Sequence, residues 1–394
     1  MTAVDLVYFN AGGGHRATAL ALDEAIREER RPWDVRLVNL VDVLDPTAAF
    51  RRFTGVPPEA FYNARLARGW TIGLGQELKV LQACIRLGHR ALVRSLATHW
   101  QRTRPDLIVS LVPNFNRALY GAATVACNGV PFVTVLTDMA DHPPHFWIER
   151  GQNQHLVCGT ARAVEQARAA GHPGERVWRT SGMILRPSFH RVPPLDVEAE
   201  RRMLGLDPQR TTAVVLFGGH GSMQMLEIAR LLPDLQLVLM CGHNALLAER
   251  LRAEAAGAPR AVIGFTPDVW RYLRIADFFI GKPGPGSISE AVQMGLPVLT
   301  FRNAWTMPQE RYNTDWVLEE RVGVVVRSLR ELPAAVDAIV AGLTELRGRV
   351  ASVRNNAVYE VPAIFERLVG ASAEKVDGAR ADEWSWRGSV GSNR

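Results

Sequence analysis

The chain has 394 residues, 47% hydrophobic and 22% charged, an ordinary globular composition with enough length for two cores. Its net charge of +6 comes almost entirely from arginine, lysine occurring only at Lys79, Lys282 and Lys375, and a basic surface suits an anionic membrane, nucleic acid or a phosphorylated substrate. No zinc-finger, basic-zipper, helix-turn-helix or RNA-binding sheet signature is present, which sets nucleic acid aside; no basic start and apolar leader opens the chain, and no stretch reaches the ~18 apolar residues of a membrane span.

In chain order, 4–9 reads as a strand, 10–14 as a glycine turn, 18–30 as a helix with Leu20, Leu22, Ala25 and Ile26 inward, and 35–40 as a second strand. This βαβ opening predicts a parallel, doubly wound sheet that binds ligands at the C-terminal ends of its strands. The turn reads Gly12-Gly13-Gly14-His15, not GxGxxG, and lacks the acidic residue a dinucleotide needs, so a nicotinamide enzyme is disfavoured. His15 stands where the first strand delivers its turn into the cleft; a neutral imidazole there can take a proton from a hydroxyl nucleophile, or merely cap the helix. From 50 to 100, aromatic and aliphatic residues interleave with arginines, including a helix over 78–100 with Leu81, Ile85, Leu92 and Leu96. That pattern fits a membrane interface or an apolar acceptor groove, and equally a core helix with a solvated basic face. Cys84, Cys127, Cys158 and Cys241 lack metal-ligand spacing and read as reduced core residues of a cytosolic protein.

Strands over 105–111 and 131–136 follow, the latter ending in TDMADHPPHFW at 137–147. Two carboxylates, Asp138 and Asp141, two histidines, His142 and His145, and the aromatics Phe146 and Trp147 gather in a loop facing the same cleft as His15. Asp138 can orient a base, and Trp147 can stack on a sugar or an apolar acceptor. Pro143 and Pro144 spoil the helical His pair that zinc requires, so no metal site is expected. Proline-rich 184–210 reads as a link between domain 1–183 and a second α/β domain at 211–368, with a polar tail at 369–394. The second domain repeats the opening: a strand from 212 runs into Gly218-Gly219-His220-Gly221-Ser222, whose backbone donors can hold a diphosphate. Further on, a strand at 277–280 enters a glycine turn, and Ser287 opens a helix with Glu290 one turn in. Bare backbone N–H groups at a helix N-terminus suit phosphate and a carboxylate suits ribose, although many α/β proteins use such a turn only to change direction.

Taken together, GGGHRATA at 12–19, TDMADHPPHFW at 137–147, GPGSISEA at 284–291 and QERYN at 309–313 resemble the GT-B glycosyltransferases. Within them the chain is similar to the family of plant-type monogalactosyldiacylglycerol synthases, bacterial diacylglycerol glucosyltransferases and the enzyme that adds N-acetylglucosamine to lipid I, over about residues 4–365. The resemblance implies an α/β fold of two Rossmann-like domains facing across a cleft. It implies an N-terminal acceptor domain and a C-terminal nucleotide-sugar domain whose final helix crosses back. Phe265 and Thr266 would edge the uracil of a UDP-sugar, Glu290 would bind ribose, and Gly219, Ser222, Gly286 and Ser287 would contact the diphosphate. Gln309, Glu310 and Asn313 would read sugar hydroxyls, and Gly14, His142 and Trp147 would meet the acceptor. Around that Gln-Glu pair the chain has Arg311, Tyr312 and Trp305 where lipid-galactosyl enzymes are richer in glycine.

The activity expected is inverting, metal-independent and cofactor-free transfer of a hexose from UDP-sugar to a lipid hydroxyl, most simply diacylglycerol. His15, oriented by Asp138 or a neighbour, acts as base, and helix N-termini at Ser222 and Ser287, with Lys282 or Arg302, receive the leaving UDP. The expected setting is cytoplasmic, peripheral on the inner face of the membrane, with no nucleic-acid partner. A soluble or polyprenyl acceptor, a hydrolysing UDP-N-acetylglucosamine 2-epimerase and a non-enzymatic sugar-nucleotide sensor are the alternatives.

Overall fold

The computed structural model describes residues 1–10, 13–45, 52, 74–304 and 306–372. The arginine-aromatic stretch before Leu74, Gly12, Trp305 and most of the polar tail therefore lie outside the described residues. Two six-stranded sheets, parallel throughout, organise the rest. The first comprises β1 (Thr2–Tyr8), β2 (Trp33–Asn39), β3 (Leu107–Ser110), β4 (Phe132–Val135), β5 (His155–Cys158) and β6 (Val177–Arg179), in the order β2-β1-β3-β4-β5-β6. The second comprises β7 (Thr212–Leu216), β8 (Gln236–Gly242), β9 (Arg260–Gly264), β10 (Phe278–Gly281), β11 (Val298–Phe301) and β12 (Gly323–Val326), ordered β12-β11-β10-β7-β8-β9. The central strands are unbroken apolar runs such as Leu107-Ile108-Val109, wholly buried, because helices cover both faces of a parallel sheet.

Strand order reverses between β1 and β3 in the first sheet and between β7 and β10 in the second. At such switch points the loops leaving neighbouring strands diverge to opposite faces and open a crevice. Gly13 and His15 follow β1 and the Pro113-Asn114 turn follows β3; Gly218–Ser222 leaves β7 and Lys282–Ser287 leaves β10. Both pairs of turns line one cleft.

The expected helix over 78–100 is divided at a glycine into Leu74–Leu87 and His89–Thr103, and the helices Leu332–Ala341 and Leu343–Ser352 are separated in the same way, with Gly88 and Gly342 at the breaks. Glycine weakens a helix interior by about 1 kcal/mol relative to alanine, which makes it the place where the axis changes. Cys158 and Cys241 are core residues as expected, Cys127 is half-buried, and Cys84 is exposed.

The link does not hang free: Leu185, Phe189 and Leu206 are buried in the core of the second sheet, as is Met183 just before it. The helical stretch 357–372 returns to the first sheet, burying Val361, Ile364, Phe365 and Leu368 among Val4, Leu6 and Leu22. The chain thus passes between the two halves twice, and the passages touch. Asn355 Nδ2 donates to Met183 O at 2.8 Å, and a Cβ on Gly182 would stand 2.6 Å from Asn355 Cγ.

Candidate active site

The cleft encloses about 1430 Å³ and is lined from both halves. On the first-sheet side, Gly13 adopts φ 82°, a left-handed conformation that glycine accepts at no steric cost, and opens the helix Gly14–Glu28. His15 is the second residue of that helix. Its Nδ1 lies 3.1 Å from Thr137 Oγ1 at the end of β4, and its ring centroid is 5.9 Å from that of Trp147. Burial lowers the imidazole pKa to about 4, opposed by the nearby Leu111 backbone. The ring is neutral at neutral pH, as a base must be before it acts.

Asp138 does not orient His15 directly; Thr137, its neighbour, holds that ring. The Asp138 carboxylate instead accepts a hydrogen bond from Trp147 Nε1 at 2.8 Å. Burial pushes its pKa up to about 7; the indole N–H pulls it down, the charges of Glu310 and Asp141 push further up, and Lys282 pulls down. Glu310 and Lys282 belong to the second half, so Asp138 feels charge from across the cleft. Asp141 Oδ1 accepts from the Trp147 backbone N–H at 2.7 Å, and burial raises its pKa to about 6.

Trp147 is wholly buried, which corrects the expectation that it meets an acceptor. An indole sealed in the wall cannot stack on a ligand; it fixes Asp138 and braces His15. Phe146 lines the cleft, as does Gly14, whereas His142 packs edge-on against Phe146 at 6.0 Å and is not a lining residue. His145 contacts the buried Glu149 through Nδ1 at 2.9 Å, and Arg117 Nε donates to the same oxygen at 3.2 Å.

On the other side, the β7 turn is shaped by close backbone packing: a Cβ on Gly242, at φ 56°, would lie 2.1 Å from Gly219 O. Gly219 and Ser222 reach the cleft beside Gly286 and Ser287. The helix Pro285–Gln293 begins with proline after Gly284, with no side-chain cap, leaving first-turn N–H groups for a ligand. Glu290 faces the cleft half-buried; burial raises its pKa to about 7, with Arg186 of the link acting against that. Phe265 is 62% exposed at the end of β9, stacked on His243 at 3.9 Å, and Thr266 follows it on the cleft wall.

Gln309 lines the cleft, and Glu310 also reaches it, buried and paired with Lys282 Nζ at 3.0 Å. Asn313 is fully buried, which corrects its assignment to sugar hydroxyls. Its Nδ2 donates to Pro283 O at 2.7 Å, so it holds the turn rather than a ligand. Arg302 is engaged with Asp315 and Thr314 and is no lining residue; among the described residues Lys282 and Arg186 are the cations that line the cleft. Among the described residues no cluster of three or more His, Cys, Asp or Glu side chains is arranged to hold a metal ion.

Three further side chains, Thr137, Arg186 and Gln82, belong to the site. Thr137 was present in the motif but carries no chemistry until folding sets it against His15. Arg186 sits in the link, and Gln82, on the helix Leu74–Leu87, stands in no motif; only their placement brings them to the site.

No protein-family model matches the sequence. It is 29% identical over 349 residues to a probable monogalactosyldiacylglycerol synthase 2 of Oryza sativa subsp. japonica, covering 82% of this chain and 70% of that protein. It is 28% identical over 348 residues to the monogalactosyldiacylglycerol synthase of Spinacia oleracea, covering 83% and 64%. Among solved structures, MurG of Acinetobacter baumannii superposes with a TM-score of 0.57 at 13% identity, over 93% of this chain and all of that one. The glycosyltransferase SnogD of Streptomyces nogalater does so at 0.56 and 18%, over 94% and all of that chain. The fold is that of the GT-B glycosyltransferases, and the sequence is similar to galactolipid synthases.

Proposed function

We propose that this GT-B glycosyltransferase moves a hexose from a UDP-sugar to a lipid hydroxyl, diacylglycerol being the simplest acceptor, with inversion and without metal or cofactor. The observation that carries the reading is the pairing of two switch-point turns across one cleft, a neutral base on one side and phosphate- and ribose-suited groups on the other. In the N-terminal acceptor domain, the tautomer of His15 that donates Nδ1–H to Thr137 Oγ1 leaves Nε2 unprotonated to take the acceptor proton. The acceptor oxygen bonds to the anomeric carbon as the bond to the UDP oxygen breaks. In the C-terminal domain, the N–H groups of Gly286 and Ser287, the Gly219–Ser222 turn and Lys282 receive the charge that develops on the diphosphate. Glu290 accepts from ribose hydroxyls, which favours its ionised form. Gln309 and Glu310 stand next along the wall, where the sugar would follow.

Similarity to enzymes named for monogalactosyldiacylglycerol supports the lipid acceptor. So does the apolar acceptor side, where Phe9, Leu78, Leu81, Phe115 and Leu136 line the cleft. The helix Leu74–Leu87 leaves Val80 64% and Leu87 89% exposed beside Lys79 and Arg86, which suits peripheral contact with an anionic cytoplasmic leaflet. No described helix is long and apolar enough to cross a membrane.

The test is a panel of UDP-sugars, with and without diacylglycerol vesicles, followed by UDP release and lipid mass. Release that depends on the lipid, with a hexosyl-diacylglycerol product abolished by His15→Ala, is the expected result. UDP release without any lipid product moves the acceptor elsewhere, and conversion of the donor with no acceptor present would favour epimerase chemistry.

A further inference from the structure

Asn114, in the turn after β3, has a left-handed backbone at φ 67°, uncommon for a residue other than glycine. Such conformations persist where the surroundings impose them, and they cluster at ligand sites. Two bonds impose this one. The Asn114 backbone N–H donates to Phe146 O at 2.5 Å, and its side-chain Oδ1 accepts from Gln82 Nε2 at 3.0 Å.

The second bond also decides which way the Asn114 amide faces. Gln82 is buried, and its Nε2 donates at 2.9 Å to Pro144 O as well. A carbonyl only accepts, so the nitrogen of the Gln82 amide must be on that side, and the Asn114 atom facing it must be the oxygen. The Asn114 Nδ2 is thereby left with two N–H groups and no acceptor among the described residues. Asn114 lines the cleft, in a wall that is otherwise apolar around Pro113, Phe115 and Phe146. It leaves the switch point on the strand next to the one that delivers His15, and the Leu111 backbone of the same turn neighbours the His15 ring.

We propose that Asn114 is an acceptor-binding residue: Nδ2 donates to the ester carbonyl beside the nucleophilic hydroxyl of the lipid, and Gln82 is the positioning residue that aims it. The inference rests on the lipid-acceptor reading above and adds the contact that orients the acceptor. An apolar wall binds acyl chains but sets no orientation; a single aimed donor does.

The experiment compares full-length wild type with Asn114→Gly and Asn114→Asp, using 1,2-diacylglycerol and the matching dialkylglycerol, which lacks the carbonyls. Glycine relieves the positive φ but also removes the acceptor of the buried Gln82 amide, so the two effects on melting temperature oppose one another and a purely conformational role is recognised by unchanged kinetics. The expected result is that both variants raise the KM for diacylglycerol about 3- to 10-fold, the loss of one hydrogen bond. The KM for UDP-sugar and the dissociation constant for UDP stay unchanged. Wild type is expected to prefer diacylglycerol over dialkylglycerol, and the variants to lose that preference. Gln82→Glu, whose carboxylate can only accept, turns the Asn114 amide round and reproduces the loss. Active wild type with an Asn114→Gly variant that keeps both the acceptor KM and the preference would overturn the proposal alone. Wild type that uses no glycerolipid, while still binding UDP, overturns the lipid reading and this inference with it.

Discussion

Replacing Glu290 by glutamine separates what this carboxylate costs the fold from what it does for a ligand. In the free protein, burial moves its pKa from 4.5 to about 7, so the ionised form is the disfavoured one. The folded-state pKa is raised for an acid, so the penalty is absent below about pH 4.5, grows between there and 7, and is complete above. At 1.36 kcal/mol per pH unit the full difference is about 3 kcal/mol at pH 8, and less than about 1 kcal/mol at pH 5. Solvent reaches the half-buried group and Arg186 attracts it, so about 1–2 kcal/mol is the expected gain for Glu290→Gln at pH 8. Urea unfolding at pH 5 and pH 8 measures it, the variant midpoint rising at the higher pH and nearly matching wild type at the lower. The same variant should bind UDP about 5- to 30-fold more weakly, since an amide oxygen accepts from ribose less strongly than a carboxylate by about 1–2 kcal/mol. A variant whose stability difference from wild type is the same at both pH values would show that Glu290 is not desolvated. Unchanged UDP affinity would remove it from the donor site.

His15→Ala should lower kcat by roughly 10²- to 10⁴-fold while leaving UDP affinity intact, because the ring lies on the half opposite the donor turns. Wild type should show no loss of rate from imidazole protonation until the pH falls below about 5, His15 titrating at about 4. Trp147→Phe removes the N–H that Asp138 accepts; the expected loss of stability is about 1–3 kcal/mol, larger at pH 8 than at pH 5 because the ionised carboxylate loses most. The acceptor KM should barely move, and a large selective rise would restore Trp147 to the acceptor surface. Asn313→Ala should weaken UDP binding through the freed Pro283 carbonyl, seen by calorimetry, without changing which UDP-sugar is preferred.

Much of the molecule was legible in the chain itself. Alternation of apolar strand, glycine turn and amphipathic helix leaves few arrangements other than parallel sheets, and the turns at His15, Gly219 and Ser287 announce strand ends that face the cleft. Glu290 reaches the cleft because it stands one turn into the helix that follows the turn at Ser287. Residue type, however, does not say whether a side chain looks inward or outward from a loop. Trp147 and Asn313 have the chemistry of ligand contacts, yet burial turned both into braces, one for Asp138 and one for the Pro283 turn. Thr137 beside His15, Lys282 against Glu310 and Gln82 against Asn114 are pairs 122, 28 and 32 residues apart. Local periodicity carries information over a few turns of helix or one strand. Which distant groups meet, and therefore which pKa rises and which amide is aimed, is decided only when the two sheets pack and water leaves the wall between them.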